Sequence, residues 1–358
     1  MASAEDISKA LDGIIGSNDE STTVTHWLDS GFPPLNDASA SDWEKGFPVG
    51  RMIEIAGPPS SGKTAIATKV MAAAQKAGGI AGFMDHERSF SLDLAPRLGL
   101  DITPGRFIFK KPKTFEQSLQ MAALAAKTIR DKKLIHKDAP IVFVFDSLAS
   151  MVPMSALFDA KGNLKSLEDR NMNDNTALAR ATSNAFPAFA QFCEEYGVLA
   201  IFLNQMRTKI GVMFGDPRKT TGGNAPEFYF SQRLWLSSSQ IKAKVNGKDE
   251  IIGVEVTGKF VKNKIARPFK EAKWRFMFQK DGTGRFDVER SMIEFLEGIG
   301  ALEKATGPGK VIYDGKTIGK ETLARQLEIS GKVTDLNKLL PAKYEPETVA
   351  SVEMDETE

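Results

Sequence analysis

The eight residues Gly57-Pro58-Pro59-Ser60-Ser61-Gly62-Lys63-Thr64 fit the pattern G-x-x-x-x-G-K-[ST]. The apolar run Met52-Ile53-Glu54-Ile55-Ala56 before them reads as a buried strand, and Thr64 to Ala77 after them as an alanine-rich helix. A strand feeding a glycine loop that opens a helix aims successive backbone N–H groups, and the positive end of the helix dipole, at one point. A triphosphate fits that cradle, with Lys63 reaching the β/γ oxygens and the Thr64 hydroxyl a ligand of Mg²⁺. The eight-residue pattern also arises by chance. The flanking strand and helix turn it into an expectation of nucleotide binding.

The chain has 358 residues, 42% of them hydrophobic and 26% charged, which fits an α/β domain with an appendage. No apolar stretch approaches the roughly 20 residues that span a bilayer, and the N-terminus lacks a basic-then-apolar signal, so a cytoplasmic protein with no membrane partner is expected. Cys193 is the one cysteine, set in the helical pattern Phe189, Phe192, Cys193, Tyr196, which excludes a disulfide framework and reads as a buried structural thiol. With only three histidines besides, a structural zinc site lacks ligands. The net charge of +1 does not announce a nucleic-acid binder, but its distribution is uneven. Lys and Arg crowd the stretch from Lys259 to Lys280, while the last fourteen residues, Glu345 to Glu358, carry six acids and no base. Such a tail is either a solvated, disordered end or a competitor for a basic groove.

Residues Ala4 to Ile15 read as an amphipathic helix (Ile7, Leu11, Ile14, Ile15), followed by a polar linker from Gly16 to Thr25. Its apolar face is expected to pack on its own chain or on a neighbouring subunit. From Gly50 to about Phe278 strands and helices alternate, which argues for a mostly parallel sheet covered on both faces. Strands are expected at Ile80 to Asp85, Phe107 to Lys111, Ile141 to Phe145 and Val198 to Leu203. Helices are expected at Phe115 to Asp131 and Asn175 to Tyr196. Alternation at Arg233 to Ser238, Ile251 to Lys262 and Trp274 to Phe278 predicts antiparallel members at the end of the sheet. Ser291 to Leu340, with helical ends and the middle Gly307-Pro308-Gly309, reads as a small C-terminal domain. The expected division is 1–25, helix and linker; 26–280, core; 281–344, small domain; 345–358, acidic tail.

Hydrolysing a triphosphate takes a metal anchor, a base to orient water and a charge to stabilise the transition state. The apolar strand Val142 to Phe145 ends in Asp146-Ser147, where a ligand to Mg²⁺ through water belongs; an Asp there also caps helices. The strand Ile80 to Met84 ends in Asp85-His86-Glu87. Strand C-termini of such sheets converge on the ligand crevice, so Glu87 is either a general base one water from the γ-phosphate or a solvated loop acid. His86 reads as a loop histidine.

A second signal follows the strand Ile201-Phe202-Leu203, which ends in Asn204-Gln205. It runs into Met206-Arg207-Thr208-Lys209-Ile210-Gly211-Val212-Met213-Phe214-Gly215 and then Thr220-Thr221-Gly222-Gly223-Asn224. Loops this long are usually functional. Arg207 and Lys209 can neutralise phosphates, while Ile210, Val212, Met213 or Phe214 can wedge between bases. Ser155 to Asn175 is a second polar loop. Amides at the end of the strand can feel a γ-phosphate and pull on the loop beyond, coupling ATP to DNA.

The segment from Asn204 to Gly215, with Thr220 to Ala225 behind it, resembles the RecA family of homologous-recombination ATPases almost residue for residue. Gly50-Arg51-Met52-Ile53-Glu54-Ile55, Asp146-Ser147-Leu148-Ala149 and Val261-Lys262-Asn263-Lys264-Ile265-Ala266 also resemble family segments, so the likeness runs from about His26 to Phe278. It implies an α/β fold: a RecA-type P-loop ATPase core with a mostly parallel central sheet, a short N-terminal helix and a small α+β C-terminal domain. By resemblance, Gly57 through Thr64 and Asp146 would bind ATP-Mg²⁺, Glu87 would be the catalytic base and Gln205 the γ-phosphate sensor. Met206 to Gly223 would be the second DNA-binding loop, with Ile210 as wedge and Arg207, Lys209, Gly211, Val212, Met213, Phe214, Thr221, Gly222, Gly223 and Asn224 contributing. Pro153 to about Asn175 would be the first such loop. Lys262 and Lys264 would reach the ATP of the next protomer, Phe228 would lie near the subunit junction, and the N-terminal helix would pack on the adjacent subunit.

Some positions depart from the family. Glu227 stands where bacterial members usually have lysine, Arg88 to Leu94 lacks the tyrosine that covers adenine, and the first loop is longer. Such divergence suits a phage-encoded or specialised member.

The resemblance implies an ATP-dependent DNA repair and recombination protein. It would form helical filaments with itself on single-stranded DNA, pair it with homologous double-stranded DNA and exchange strands with DNA-stimulated ATP hydrolysis. A mediator or single-strand-binding protein is a further expected partner. The alternatives are a hexameric RecA-core helicase or translocase, expected to carry an extra N-terminal domain, and a non-catalytic ATP-gated scaffold, against which Glu87 argues.

Overall fold

The computed structural model describes residues 23–166, 174–208 and 218–341, with the isolated positions Ser3 and Lys9. Apart from Ser3 and the helical Lys9, the expected N-terminal helix and linker through residue 22 lie outside the described residues, as do 167–173, 209–217 and 342–358, which hold the expected acidic tail.

The described chain enters as β1 (Trp27–Leu28), α1 (Pro33–Ala40) and β2 (Phe47–Pro48). It continues as β3 (Met52–Gly57), α2 (Lys63–Lys76), β4 (Ile80–Asp85), β5 (Phe107–Lys110), α3 (Phe115–Asp131) and β6 (Ile141–Asp146). Then come α4 (Met154–Leu157), α5 (Asp174–Tyr196), β7 (Val198–Thr208), β8 (Arg218–Thr220) and α6 (Ala225–Tyr229). The strands β9 (Gln232–Val245), β10 (Lys248–Asn263), β11 (Glu271–Phe278) and β12 (Gly284–Asp287) follow in succession. The chain goes on through α7 (Val288–Gly298), β13 (Lys310–Tyr313), β14 (Lys316–Gly319) and α8 (Lys320–Ser330) to a 3₁₀-helix at Val333–Leu339.

One large sheet has the order β5-β4-β6-β7-β3-β9-β10-β11-β12, with β8 attached to β7. Pairing is parallel from β5 to β9 and antiparallel from β9 to β12. The parallel strands are continuous apolar runs because helices cover both their faces. Successive side chains therefore divide between two cores. Ile53, Ile55, Val142, Val144, Leu199 and Ile201 join Ile66 and Val70 of α2 on one face. Met52, Phe143, Phe145, Ala200 and Phe202 join Leu119 of α3 and Phe186 and Cys193 of α5 on the other. Cys193 is fully buried and its thiol is pushed up by burial, as expected of a packing residue.

The sheet outgrows the sequence expectation at two places. β9 and β10 extend well beyond their apolar halves as a two-stranded ribbon, closed by Asn246-Gly247 with φ of 51° and 79°. Two positive φ values in a two-residue loop match the twist of antiparallel strands. β7 runs five residues past Leu203 and pairs with β8, Met206 opposite Thr220 and Arg207 opposite Lys219. The expected second loop is thus a hairpin whose stem continues the central strand. The helix α1, which begins at the Pro33-Pro34 pair, was not anticipated.

Apolar side chains of the C-terminal segment, including Met292, Ile293, Leu296, Val311 and Leu323, continue the cluster on the α2 face. No helix among the described residues is long and apolar enough to cross a membrane.

Candidate nucleotide site and DNA interface

The parallel register brings the C-terminal ends of β3, β4, β6 and β7 to one edge, with Gly57 opposite Gln205 and Asp85 opposite Asp146. Gly57 ends β3 where a Cβ would lie 2.5 Å from the Ser61 hydroxyl and 3.1 Å from Leu236, so only glycine fits. Gly62 caps α2 with φ of 84°, a left-handed conformation that glycine adopts without a steric penalty. Together they turn the chain so that Lys63 and Thr64 open the helix beside a cavity of about 520 Å³. Ser60, Ser61, Gly62, Lys63, Thr64, Glu87, Asp146 and Gln205 all line it.

Lys63 Nζ donates to the carbonyls of Gly57 (3.0 Å) and Pro58 (2.8 Å), and burial lowers its pKa against the pull of Asp146 and Glu87. Thr64 Oγ1 donates to Asp146 Oδ2 at 3.1 Å. Burial, then the neighbouring Glu87, push the Asp146 carboxyl up to about 7, with Asp85 adding to the rise. The Thr64 hydroxyl and the Lys63 charge offset that rise only in part, and a divalent cation would reverse it. Among the described residues no group of three or more His, Cys, Asp or Glu is placed to hold a metal alone. Mg²⁺ usually keeps several waters and takes phosphate oxygens as well as one or two protein groups, so the Thr64 and Asp146 pair fits it.

Glu87 stands at the centre of the site. Its Oε1 accepts from Gln205 Nε2 at 3.0 Å, from the Ser147 hydroxyl in a short bond, and from the Ser150 hydroxyl at 3.3 Å. The backbone N–H groups of His86 and Glu87 both donate to the Asp146 carbonyl, which locks the two strand ends together. His86 is partly buried, and desolvation followed by Arg88 depress it to about 4, so it is neutral near pH 7.

A second cavity of about 340 Å³ shares Thr64, Ala65, Phe276 and Phe278 with the first. Phe90, Leu94 and Leu98 give it apolar walls, and Ser89 and Ser91 place polar residues there.

Lys262 and Lys264 do not line the phosphate-loop cavity of their own chain. Lys262 Nζ donates to the Glu227 carbonyl in a short bond and to the Phe228 carbonyl at 3.3 Å, and Lys264 Nζ to the Phe228 carbonyl at 2.8 Å. Phe228 itself is 67% exposed.

Arg207 is exposed on the hairpin stem. Lys209, Ile210, Gly211, Val212, Met213 and Phe214 lie outside the described residues. Where the chain returns, Gly222 is buried, its carbonyl accepts from Thr182 Oγ1 at 2.8 Å, and a Cβ on it would lie 2.9 Å from Leu148. Thr221 and Gly223 are partly buried beside it, and Asn224 is exposed. Of the first loop, α4 and the residues to 166 are described, with Met154 and Leu164 exposed.

Sequence reasoning missed Ser147 and Ser150 as partners of Glu87, and a buried cluster around Glu54 and Arg233. A signal for the latter existed: Glu54 interrupts a strand with no exposed position, and a buried carboxylate demands a partner.

A family model for the RecA N-terminal domain matches residues 14–283. Protein RecA 2 of Myxococcus xanthus is 37% identical over 289 residues, covering 80% of this chain and 73% of that protein. Protein RecA of Streptococcus equi subsp. zooepidemicus is 36% identical over 80% of this chain and 71% of its own. Protein RecA of Pseudomonas fluorescens is 35% identical over 80% and 75%. The match spans the phosphate loop, the acids on β4 and β6 and the Asn204-Gln205 strand end, and it places this chain in the RecA family.

Proposed function

We propose that this chain is an ATP-dependent recombinase that assembles on single-stranded DNA as a helical filament, pairs it with homologous duplex and exchanges strands. The observation that carries the reading is the 3.0 Å hydrogen bond from Gln205 to Glu87 at the phosphate-loop cavity, because β7 passes unbroken from Gln205 into the hairpin stem. A side chain that touches the candidate base thus belongs to the same strand as the candidate DNA loop.

Lys63 exchanges its loop carbonyls for β/γ-phosphate oxygens. Thr64 would hold Mg²⁺ through its hydroxyl and Asp146 through water. When bound there, the cation supplies charge against the phosphate oxygens. Glu87 accepts a proton from the attacking water. Gln205 gives up Glu87 for the terminal phosphoryl group, and that movement is passed along β7 to the hairpin. Lys262 and Lys264 serve the ATP of the adjacent protomer, which makes hydrolysis depend on assembly. Arg207 and Lys209 neutralise DNA phosphates, and Ile210 with its apolar neighbours separates bases, so affinity falls steeply with salt and shows little base preference.

The test is DNA-stimulated phosphate release and strand exchange with matched and mismatched duplexes. Lys63→Ala is expected to abolish both. Wild-type hydrolysis by Lys63→Ala in the presence of single-stranded DNA would overturn the site assignment. Electron microscopy with ATP and single-stranded DNA should show helical filaments; closed hexamers would move the chain to the ring-shaped motors.

A further inference from the structure

Arg233 sits at a crossing of strands. Its neighbour in register on one side is Glu54 of β3, three residues before the phosphate loop, and on the other side Lys262 of β10. Its guanidinium reaches three elements. Nε donates to Glu54 Oε2 at 2.7 Å, one Nη donates to Thr220 Oγ1 at 2.8 Å, and the other lies 3.9 Å from the Glu227 carboxylate. The second oxygen of Glu54 accepts from Asn204 Nδ2 at 2.9 Å. The same Asn204 amide donates to the Thr221 carbonyl at 2.8 Å, and its Oδ1 accepts from the backbone N–H of Gln205 at 2.9 Å.

The cluster is closed to water: Glu54 and Asn204 are fully buried, and Thr220 and Arg233 nearly so. It joins the strand entering the phosphate loop, the backbone of Gln205, both sides of the hairpin root, and the segment that holds Lys262. A buried ion pair is a weak device for stability, since apolar replacement is often as good. Its directional bonds are better suited to holding elements in one register.

We propose that Arg233 is a positioning residue through which nucleotide at the phosphate loop and single-stranded DNA at the hairpin sense each other. A shift of Gln205 moves Asn204, and Asn204 draws on Thr221 and Glu54. Arg233 carries the displacement to Thr220 on the opposite strand of the stem. The hairpin is thus gripped on both sides of its root. This rests on the recombinase reading, because it assigns the contact between that reading's two sites.

The experiment measures the factor by which a non-hydrolysable ATP analogue tightens binding of a fluorescent oligodeoxythymidylate. It uses the full-length chain, Arg233→Lys and Thr220→Val. Arg233→Lys keeps a charge beside Glu54 but cannot span to Thr220. Thr220→Val removes one acceptor and leaves the ion pair whole, so it stands in if the first variant unfolds. Coupling factors of about 5 to 150 are typical of linked sites. Both variants are expected to lose about tenfold of the wild-type factor, or all of it if it is smaller, while DNA-free affinity for a fluorescent ATP analogue stays within about twofold. A coupling factor equal to wild type in both variants overturns the proposal. So does a loss matched by an equal loss of DNA-free nucleotide affinity, which would mark a merely structural defect. Absence of coupling in the wild-type chain would instead remove the recombinase reading beneath it.

Discussion

Asn204 and Gln205 are consecutive on one strand, yet they belong to polar clusters of opposite kind. Gln205 lines an open cavity with Lys63, Thr64, Glu87 and Asp146, where bonds are made to groups a phosphate could displace. Asn204 lies in a sealed cluster with Glu54, Arg233 and Thr220, where donors and acceptors satisfy one another. The first arrangement leaves polar groups available for chemistry, at a cost in electrostatic strain that shows in the raised Asp146. The second holds its buried polar groups to one another, which suits it to transmitting position. Alternation along a strand separates the two roles by a single residue.

Exchanging one acid from each cluster is the severest way to break this contrast. Glu87→Gln is expected to lower DNA-stimulated hydrolysis by about 10²- to 10⁴-fold while leaving the urea midpoint almost unmoved. Glu54→Gln is expected to do the reverse first, because removing one partner of a buried pair strands the other. The cost is about 3–5 kcal/mol of stability. Hydrolysis rates and urea melts on both variants check this. If Glu54→Gln proves as stable as wild type, the sealed cluster is not what holds the strands together.

Legibility followed the same physics. Strands buried on both faces, such as Ile80–Asp85 and Ile141–Asp146, announce themselves as apolar runs, and the acids at their ends could be placed at the crevice from sequence. Elements with a wet face were truncated. The outer halves of β9 and β10 fall outside the expected strands, although Ile241, Ala243 and Val245 alternate with the exposed Lys242 and Lys244 in β9. Their signal lay in that alternation together with the turn, Asn246-Gly247. The side-chain bonds from Ser147 and Ser150 to Glu87 join residues 60 and 63 positions apart, and no local pattern encodes such a meeting. Gly247→Ala tests the claim that turn chemistry sets the ribbon. With φ at 79° and open space around it, the added methyl meets only backbone strain. The expected loss is about 1 kcal/mol in a urea melt, with hydrolysis unchanged. A loss several times larger would mean that the ribbon is packed against something else.

Lys262 borders the sealed cluster on the side away from the cavity and gives the mildest test. It adjoins Arg233 in the sheet but extends to the carbonyls of Glu227 and Phe228 at the surface. Burial, then Lys264 and Arg233, depress it to about 8, against the opposing pull of the Glu227 and Glu54 carboxylates. The sign follows directly. The unfolded chain holds this proton up to about 10.4 and the folded chain releases it near 8. Stability therefore gains as pH rises between those values, while the positive charge proposed to serve a neighbouring protomer's ATP is lost. DNA-stimulated hydrolysis should fall on the alkaline side, with its midpoint at or above about 8, because phosphates facing Lys262 hold its proton on. Lys262→Arg should flatten that limb, because arginine keeps its charge throughout. An alkaline limb of the same midpoint in Lys262→Arg would assign the titration to another group and detach Lys262 from hydrolysis.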